Sequence, residues 1–344
     1  MEKSEADARC AEAVRFAVGD GVPQDLPKAE AMFREVAEEG YPQGMFGLAD
    51  MAMGKGEVES AIPLYEKAAE LGSLPASFRL GNIYWSGERE DHARSRACFE
   101  RCAEGEFEYA YNKMGDIHFY GYGGPRDVSK AIEWYSKAAS VGDASAMFKL
   151  GCIYDGGTDV SRDETTALRM FMQAAFGGVP EAQLKMATLA YEGRTEGGKR
   201  EAARWYESCM DAIPVAKFNL ATMYYGGDGI GMDVPKAYSL YRELAEQGDT
   251  DAMFQIGKML VSGEGVGRDA EQGFRWIGKA AKAGHAEAKL VVGNLMRRQN
   301  AQLVEIKDQR EDQSLLFLTE QWTTDSHFSV PLHPPQQLLL RMAL

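Results

Sequence analysis

One sequence unit recurs eight times along this chain, and a repeat of that length leaves few architectures open. With Tyr135 in the segment AIEWYSKAASVGDASAMFKLGCIYDGG as reference, the equivalent residues are Phe33, Tyr65, Phe99, Tyr135, Phe171, Tyr206, Tyr241 and Ile277. Their spacings are 32, 34, 36, 36, 35, 35 and 36 residues, and the copies reach to about Arg298. A single unit of this size cannot bury its own apolar stripe, so neighbours must stack and share a core.

Each copy carries the same residue types at the same offsets. Eight residues before the anchor stands an aspartate in six copies, Asp25, Asp91, Asp127, Asp163, Asp233 and Asp269, with Glu57 and Gly198 in the other two. An aspartate there accepts hydrogen bonds from the free N–H groups of a helix start and complements its dipole. Pro27 and Pro235 follow inside the first turn, where a missing N–H costs nothing. Pro63 falls deeper, so that helix is expected to start late, with Ser60 as its cap. Small residues flank the anchor four positions before (Ala29, Ala61, Ser95, Ala131) and four after (Ala37, Ala69, Ala103, Ala139), which makes one helical stripe for close packing. Glycines seven positions after the anchor, Gly40, Gly72, Gly142, Gly178, Gly248 and Gly284, end the helix.

A second helix follows, marked by Leu80-Gly81…Tyr84, Leu150-Gly151…Tyr154 and Leu220-Ala221…Tyr224. The small residue permits a close helix–helix approach. Next comes a glycine turn, as in Gly19-Asp20-Gly21-Val22, Gly227-Asp228-Gly229-Ile230 and Gly263-Glu264-Gly265-Val266.

Read together, A-x-x-W/Y-Y/F-x-K-A-A-x-x-G, L-G-x-x-Y and G-x-G-V resemble the Sel-1-like repeat, a cousin of the tetratricopeptide repeat. The resemblance covers about residues 12 to 298, and the G-x-G-V turn separates it from the plain tetratricopeptide unit. Copy three departs most, with Glu106 for the terminal glycine, Met114 for the leucine and His118 for the tyrosine. The resemblance implies an all-α, right-handed α-solenoid of helix-turn-helix repeats, with the Leu-Gly-x-x-Tyr helices lining a concave side. It also implies adaptor work that brings other proteins together. Residues 1–24 are expected to form a partial first unit, 25–298 eight repeats, 299–322 a capping helix and 323–344 a tail without the period.

Catalytic chemistry has no foothold in the motifs: H-E-x-x-H, G-x-S-x-G, G-x-x-x-x-G-K-S/T and S-x-x-K are all missing. A non-enzyme without cofactor, metal or small-molecule substrate is the expectation, and a hydrolase like that proposed for cysteine-rich bacterial relatives is the remote alternative. Gly54-Lys55-Gly56 and Gly197-Gly198-Lys199 read as turns between helices. Cys102 and Cys209 stand where other copies have alanine and read as core fillers, while Cys98 and Cys102 lack the further ligands zinc requires. His118 takes a packing position and reads as a core histidine. Lys plus Arg is 38 against 52 Asp plus Glu, and the resulting net charge of −14 disfavours nucleic acid and anionic membrane as partners. The five cysteines, an apolar-poor start MEKSEADARCAE and no long apolar run set the expectation of a reduced, cytoplasmic protein.

The remaining function is a protein or peptide partner bound in the groove. Positions that vary between copies are the candidates, because packing does not appear to dictate them. Two after the leucine these include Asp50, Asn82 and Asp116; five after it they include Trp85, Phe119, Tyr191 and Tyr225, an aromatic stripe suited to partner side chains. Immediately before the leucine stand Arg79, Lys113, Lys149 and Lys185 in four successive copies. Such a row of cations either clamps an acidic peptide or is a solvated helix face. The leading expectation is a scaffold or adaptor, with a regulator that holds an enzyme partner inactive as the alternative. The apolar LLLRMAL end is a further candidate occupant of the groove.

Overall fold

Aspartate caps and glycine stops fall where the repeat places them, and they divide the chain into short helices of nearly equal length. The computed structural model describes residues 2–85, 87–157 and 159–309, with side chains as far as Arg297. Among these residues there are seventeen α-helices, one 3-10 turn at Glu108–Ala110 and no strand. The expected capping helix over 299–322 and the tail over 323–344 lie partly or wholly outside the described residues.

The chain forms two compact units, Met1–Val179 and a second that begins at Pro180. In the first, α1 (Lys3–Val18) leads into α2 (Leu26–Glu38), α3 (Pro42–Gly54), α4 (Val58–Glu70), α5 (Leu74–Ile83) and α6 (His92–Glu104). It continues with α7 (Tyr111–Tyr120), α8 (Val128–Ser140), α9 (Ala144–Gly156) and α10 (Glu164–Phe176). The second holds α11 (Pro180–Tyr191), α12 (Gly198–Cys209), α13 (Pro214–Gly226), α14 (Val234–Glu246), α15 (Thr250–Ser262), α16 (Ala270–Lys282) and α17 (Ala286–Gln309). All six aspartates cap as expected: each carboxylate accepts from the backbone N–H three residues on, for example Lys130 N–H to Asp127 at 3.0 Å. Each also donates its own N–H to a carbonyl of the preceding helix, as Asp127 does to His118.

One local expectation needs correction. The helix that contains Pro63 starts at Val58 after Glu57, and Ser60 sits inside its first turn rather than at its cap. One backbone hydrogen bond is forgone at Pro63, but Ala61, Tyr65, Ala68 and Ala69 are all buried, and that stripe keeps the helix whole. In α12 the N-cap position is held by Gly197 in the left-handed region, and Gly198 is the first helical residue.

Packing joins the second helix of one copy to the anchor helix of the next. A Cβ built on Gly81, Gly115, Gly151 or Gly257 would lie 2.8, 2.3, 2.7 or 2.5 Å from Phe99, Tyr135, Phe171 or Ile277. Each glycine is thus the floor on which the following anchor side chain rests, and any side chain there would push the two helices apart. The phenylalanine three residues before the small residue closes the other side: Phe46, Phe78, Phe148 and Phe218 meet Tyr65, Phe99, Phe171 and Tyr241 in tilted or edge contacts at 5.2–5.8 Å. In the first unit this gives separate small cores around Phe33, Tyr65, Phe99 and Tyr135. In the second, Tyr206 and Tyr241 share one larger core with Leu220, Leu244 and Met259.

Candidate functional site

The candidate residues lie on the second helices of the copies, within about a turn of the small residue against which the next anchor packs, except Trp85, which stands in the turn just after α5. That placement decides much of what each can do. In the first unit, Tyr65 donates its hydroxyl to Asp50, and Tyr135 donates to Asp116 Oδ1 at 2.7 Å. Thr222 and Tyr241 make the corresponding contact in the second unit at 2.8 Å. Burial first, and then the neighbouring carboxylate, pushes the Tyr65 and Tyr135 hydroxyls well above the ordinary phenol range. Asp50 and Asp116 are therefore dictated by packing after all. They face tyrosine anchors, whereas Asn82 and Cys152 precede phenylalanine anchors, which have no hydroxyl to satisfy.

The cation row divides in the same way. Arg79 forms a two-point pair with Asp50, at 3.2 and 3.4 Å. Lys149 donates to Asp116 Oδ1 and, at 2.7 Å, to Asn112 Oδ1, whose amide in turn donates to Asp143 at 2.9 Å. Lys113 is different: its ammonium sits over the Trp85 ring, 4.4 Å from the centroid. Burial and nearby Lys149 lower the Lys113 pKa, against the pull of Asp116. Lys185 lies on α11 in the second unit and is half-buried.

Of the aromatic stripe, the first unit brings Trp85 and Phe119 into one chain of rings. Trp85 meets Tyr122 at 5.0 Å, Tyr122 meets Tyr120 at 5.3 Å, and Tyr120 meets Phe119 at 4.9 Å. In the second unit Tyr191 and Tyr225 are more exposed and turn their hydroxyls to carboxylates: Tyr191 donates to Asp228 at 2.7 Å, and Tyr225 to Glu264. The Glu264 contact, with some burial, pushes the Tyr225 hydroxyl up to about 12. Lys199 also bonds Asp228 at 2.7 Å, and together with Tyr191 it holds that carboxyl below its usual range.

Sequence reasoning missed this rule: the residue five after the leucine meets the middle residue of the next glycine turn. Asp228 and Glu264 are the middle residues of Gly227-Asp228-Gly229 and Gly263-Glu264-Gly265, and Tyr122 is that of Gly121-Tyr122-Gly123. The signal was available as a correlation at 37 to 39 residues, slightly longer than the repeat itself. Asn82 and Arg79 line an open hollow of about 310 Å³ with Met53, Val58, Tyr65, Ile83, Glu88 and Arg89.

Reactive chemistry finds little support among the described residues. Burial pushes the thiols of Cys102 and Cys209 up to about 12 and about 11, and Cys102 donates to the Leu74 carbonyl at 3.4 Å. None of the five cysteines is in a disulfide. No group of three or more His, Cys, Asp or Glu side chains among the described residues is arranged to hold a metal. His118 is buried, and desolvation, with Arg96 and Lys130 nearby, lowers its pKa. Lys55, in the turn after α3, pairs with Glu30 of α2 at 2.8 Å. No described helix is long and apolar enough to cross a membrane.

Comparison with known proteins matches the Sel1 repeat model at residues 4–41, 42–73, 74–106, 108–143, 144–175, 180–208, 214–249 and 250–285. This phase pairs each second helix with the following anchor helix, which is the packing described above. A Sel1 repeat protein from Oxalobacter formigenes superposes with a TM-score of 0.63 at 27% identity, over 85% of this chain and 87% of that one. The chitin synthase regulator SKT5 of Saccharomyces cerevisiae is 27% identical over 67% of this chain and 41% of its own length. The ERAD-associated E3 ubiquitin-protein ligase component HRD3B of Arabidopsis thaliana is 32% identical over 35% of this chain and 22% of its own. The chain thus spans less than half the length of these curated relatives.

Proposed function

Because the chain belongs to the Sel1 repeat family, we propose that it is a non-enzymatic scaffold that holds a protein or peptide partner on the faces of its second helices. The observation that carries this reading is how the polar groups are used. The aspartate caps, the hydroxyls of Tyr65, Tyr135 and Tyr241, and Arg79 and Lys149 are engaged within and between copies, and burial raises the thiols of Cys98, Cys102 and Cys209. What the second helices and the turns that follow them still offer is ring surface: Trp85 and Phe119 in the first unit, Tyr191 and Tyr225 in the second. Aromatic area backed by a rigid helix pair is suited to burying a partner's side chains. A reduced, cytoplasmic setting belongs to the same reading, supported by five cysteines none of which is in a disulfide. A second reading, that the partner is an enzyme under control, is favoured by the relative named as a chitin synthase regulator.

Affinity capture with the full chain and two double variants tests the proposal. The variants are Trp85→Ala with Phe119→Ala, and Tyr191→Ala with Tyr225→Ala, each checked by circular dichroism for intact helix. A protein recovered with the full chain and lost with either folded variant is the expected result. Equal recovery with both variants overturns the assignment of the binding faces.

A further inference from the structure

Lys113 stands apart from the cations beside it in the row. Arg79 and Lys149 each have a carboxylate, Asp50 and Asp116. Lys113 is half-buried, and among the described residues no carboxylate lies within ion-pair distance of its ammonium, which rests on the Trp85 ring. Asp116 lies one helical turn away but is already held by Tyr135 and Lys149. The protein as a whole has a large excess of acid, with 52 acidic against 38 basic side chains. A partly desolvated ammonium without a carboxylate in such a chain is a costly arrangement, and an incoming carboxylate would relieve it.

Rings continue from that ammonium along the same surface. Trp85 contacts Tyr122, and Tyr122 contacts Tyr120, which is 57% exposed. Lys113 and Tyr120 are seven residues apart on α7, so they share one face at a separation of about 10 Å. A peptide in the polyproline II conformation covers about 9 Å in three residues and returns the side chain to the same face.

We propose that Lys113, Trp85, Tyr122 and Tyr120 form a docking subsite in the first unit for an acidic peptide segment, whose carboxylate pairs with Lys113 while an apolar side chain three residues away lies on Tyr120. The subsite rests on the scaffold reading and gives it a partner chemistry. On an ammonium already seated on an indole face, the N–H groups directed away from the ring are the ones a carboxylate meets. Lowering of the Lys113 pKa by burial agrees with a cation that gains from such a partner.

The test uses the isotopically labelled full chain and synthetic decapeptides with glutamate and phenylalanine three positions apart in a glycine–serine background. The readout is the indole N–H resonance of Trp85, assigned by its loss in Trp85→Phe. The glutamate peptide is expected to shift it with an affinity at least about tenfold above that of the matching glutamine peptide, more so at low salt. Lys113→Met should abolish the difference, and Lys113→Arg should keep it. Lys113→Met removes an uncompensated charge and should retain the native melt. Equal binding of the two peptides, no shift from either, or discrimination that survives in Lys113→Met overturns the subsite. The capture experiment above can succeed when this one fails, in which case the scaffold reading stands and the acidic peptide does not.

Discussion

At the scale of single residues, repetition makes exceptions informative. Glu106 stands where six copies have a helix-ending glycine, and it is the one non-glycine residue with positive φ among those described, at 58°. A side chain in the left-handed region costs about 1 kcal/mol relative to glycine. Glu106→Gly is therefore expected to raise the melting temperature by a few degrees, a change a calorimetric scan resolves. Asp116 is an exception in the other direction. It is buried and receives both the Tyr135 hydroxyl and the Lys149 ammonium. Asp116→Ala leaves both donors without their acceptor and should cost about 3 kcal/mol in urea denaturation. Asp50→Ala should cost less, because Arg79 is exposed and water replaces its partner. The contrast between caps and pairs explains what could be read in advance. Asp127 declares itself by position within its own copy, whereas Asp116 is explained only by a tyrosine 19 residues further on, in the next. Comparing the column two after the leucine with the following anchor column would have exposed the pairing of Asp50 with Tyr65 and Asp116 with Tyr135.

At the scale of the helix, local signals and buried stripes compete, and their outcomes differ. The aspartate caps prevail because nothing opposes them. Ser60 does not cap, because Ala61 and Tyr65 lie on a stripe that is worth more than the hydrogen bond forgone at Pro63. The caps also have a measurable dependence on pH. Backbone N–H groups of Lys130 and Thr166 hold the carboxyls of Asp127 and Asp163 below their usual range. A depressed folded value means that the unfolded chain binds the proton more readily. The stabilisation is then fully present above about pH 4 to 5 and is lost as pH falls through the folded value. Asparagine caps without titrating. The double variant Asp127→Asn with Asp163→Asn should melt close to the parent at pH 7 and lose less stability between pH 5 and pH 2.5. Thermal melts followed at 222 nm across that range check it, and parallel loss in both proteins would remove the caps from the acid response.

At the scale of the molecule, four of the five anchors in the first unit each have their own small core, closed by the second helix before it. Phe33, Tyr65, Phe99 and Tyr135 are covered by neighbours from the same unit. Stability in such an array is a sum of units and nearest-neighbour interfaces rather than one indivisible core. The period and the small-residue columns made that organisation legible in the sequence. The side-to-side contacts that define the candidate faces were not, because each joins residues that occur once, such as Lys113 and Trp85. A fragment comprising residues 1–179 should therefore fold alone, with the helical signal per residue of the full chain and a cooperative melt at lower temperature. It contains Lys113, Trp85, Tyr120 and Tyr122 together, so it should also distinguish the glutamate from the glutamine peptide as well as the full chain does. A fragment that folds but has lost that distinction would show that the acidic peptide is held by more than the first unit. A fragment that fails to fold would show that the local cores described here are insufficient without the rest of the chain.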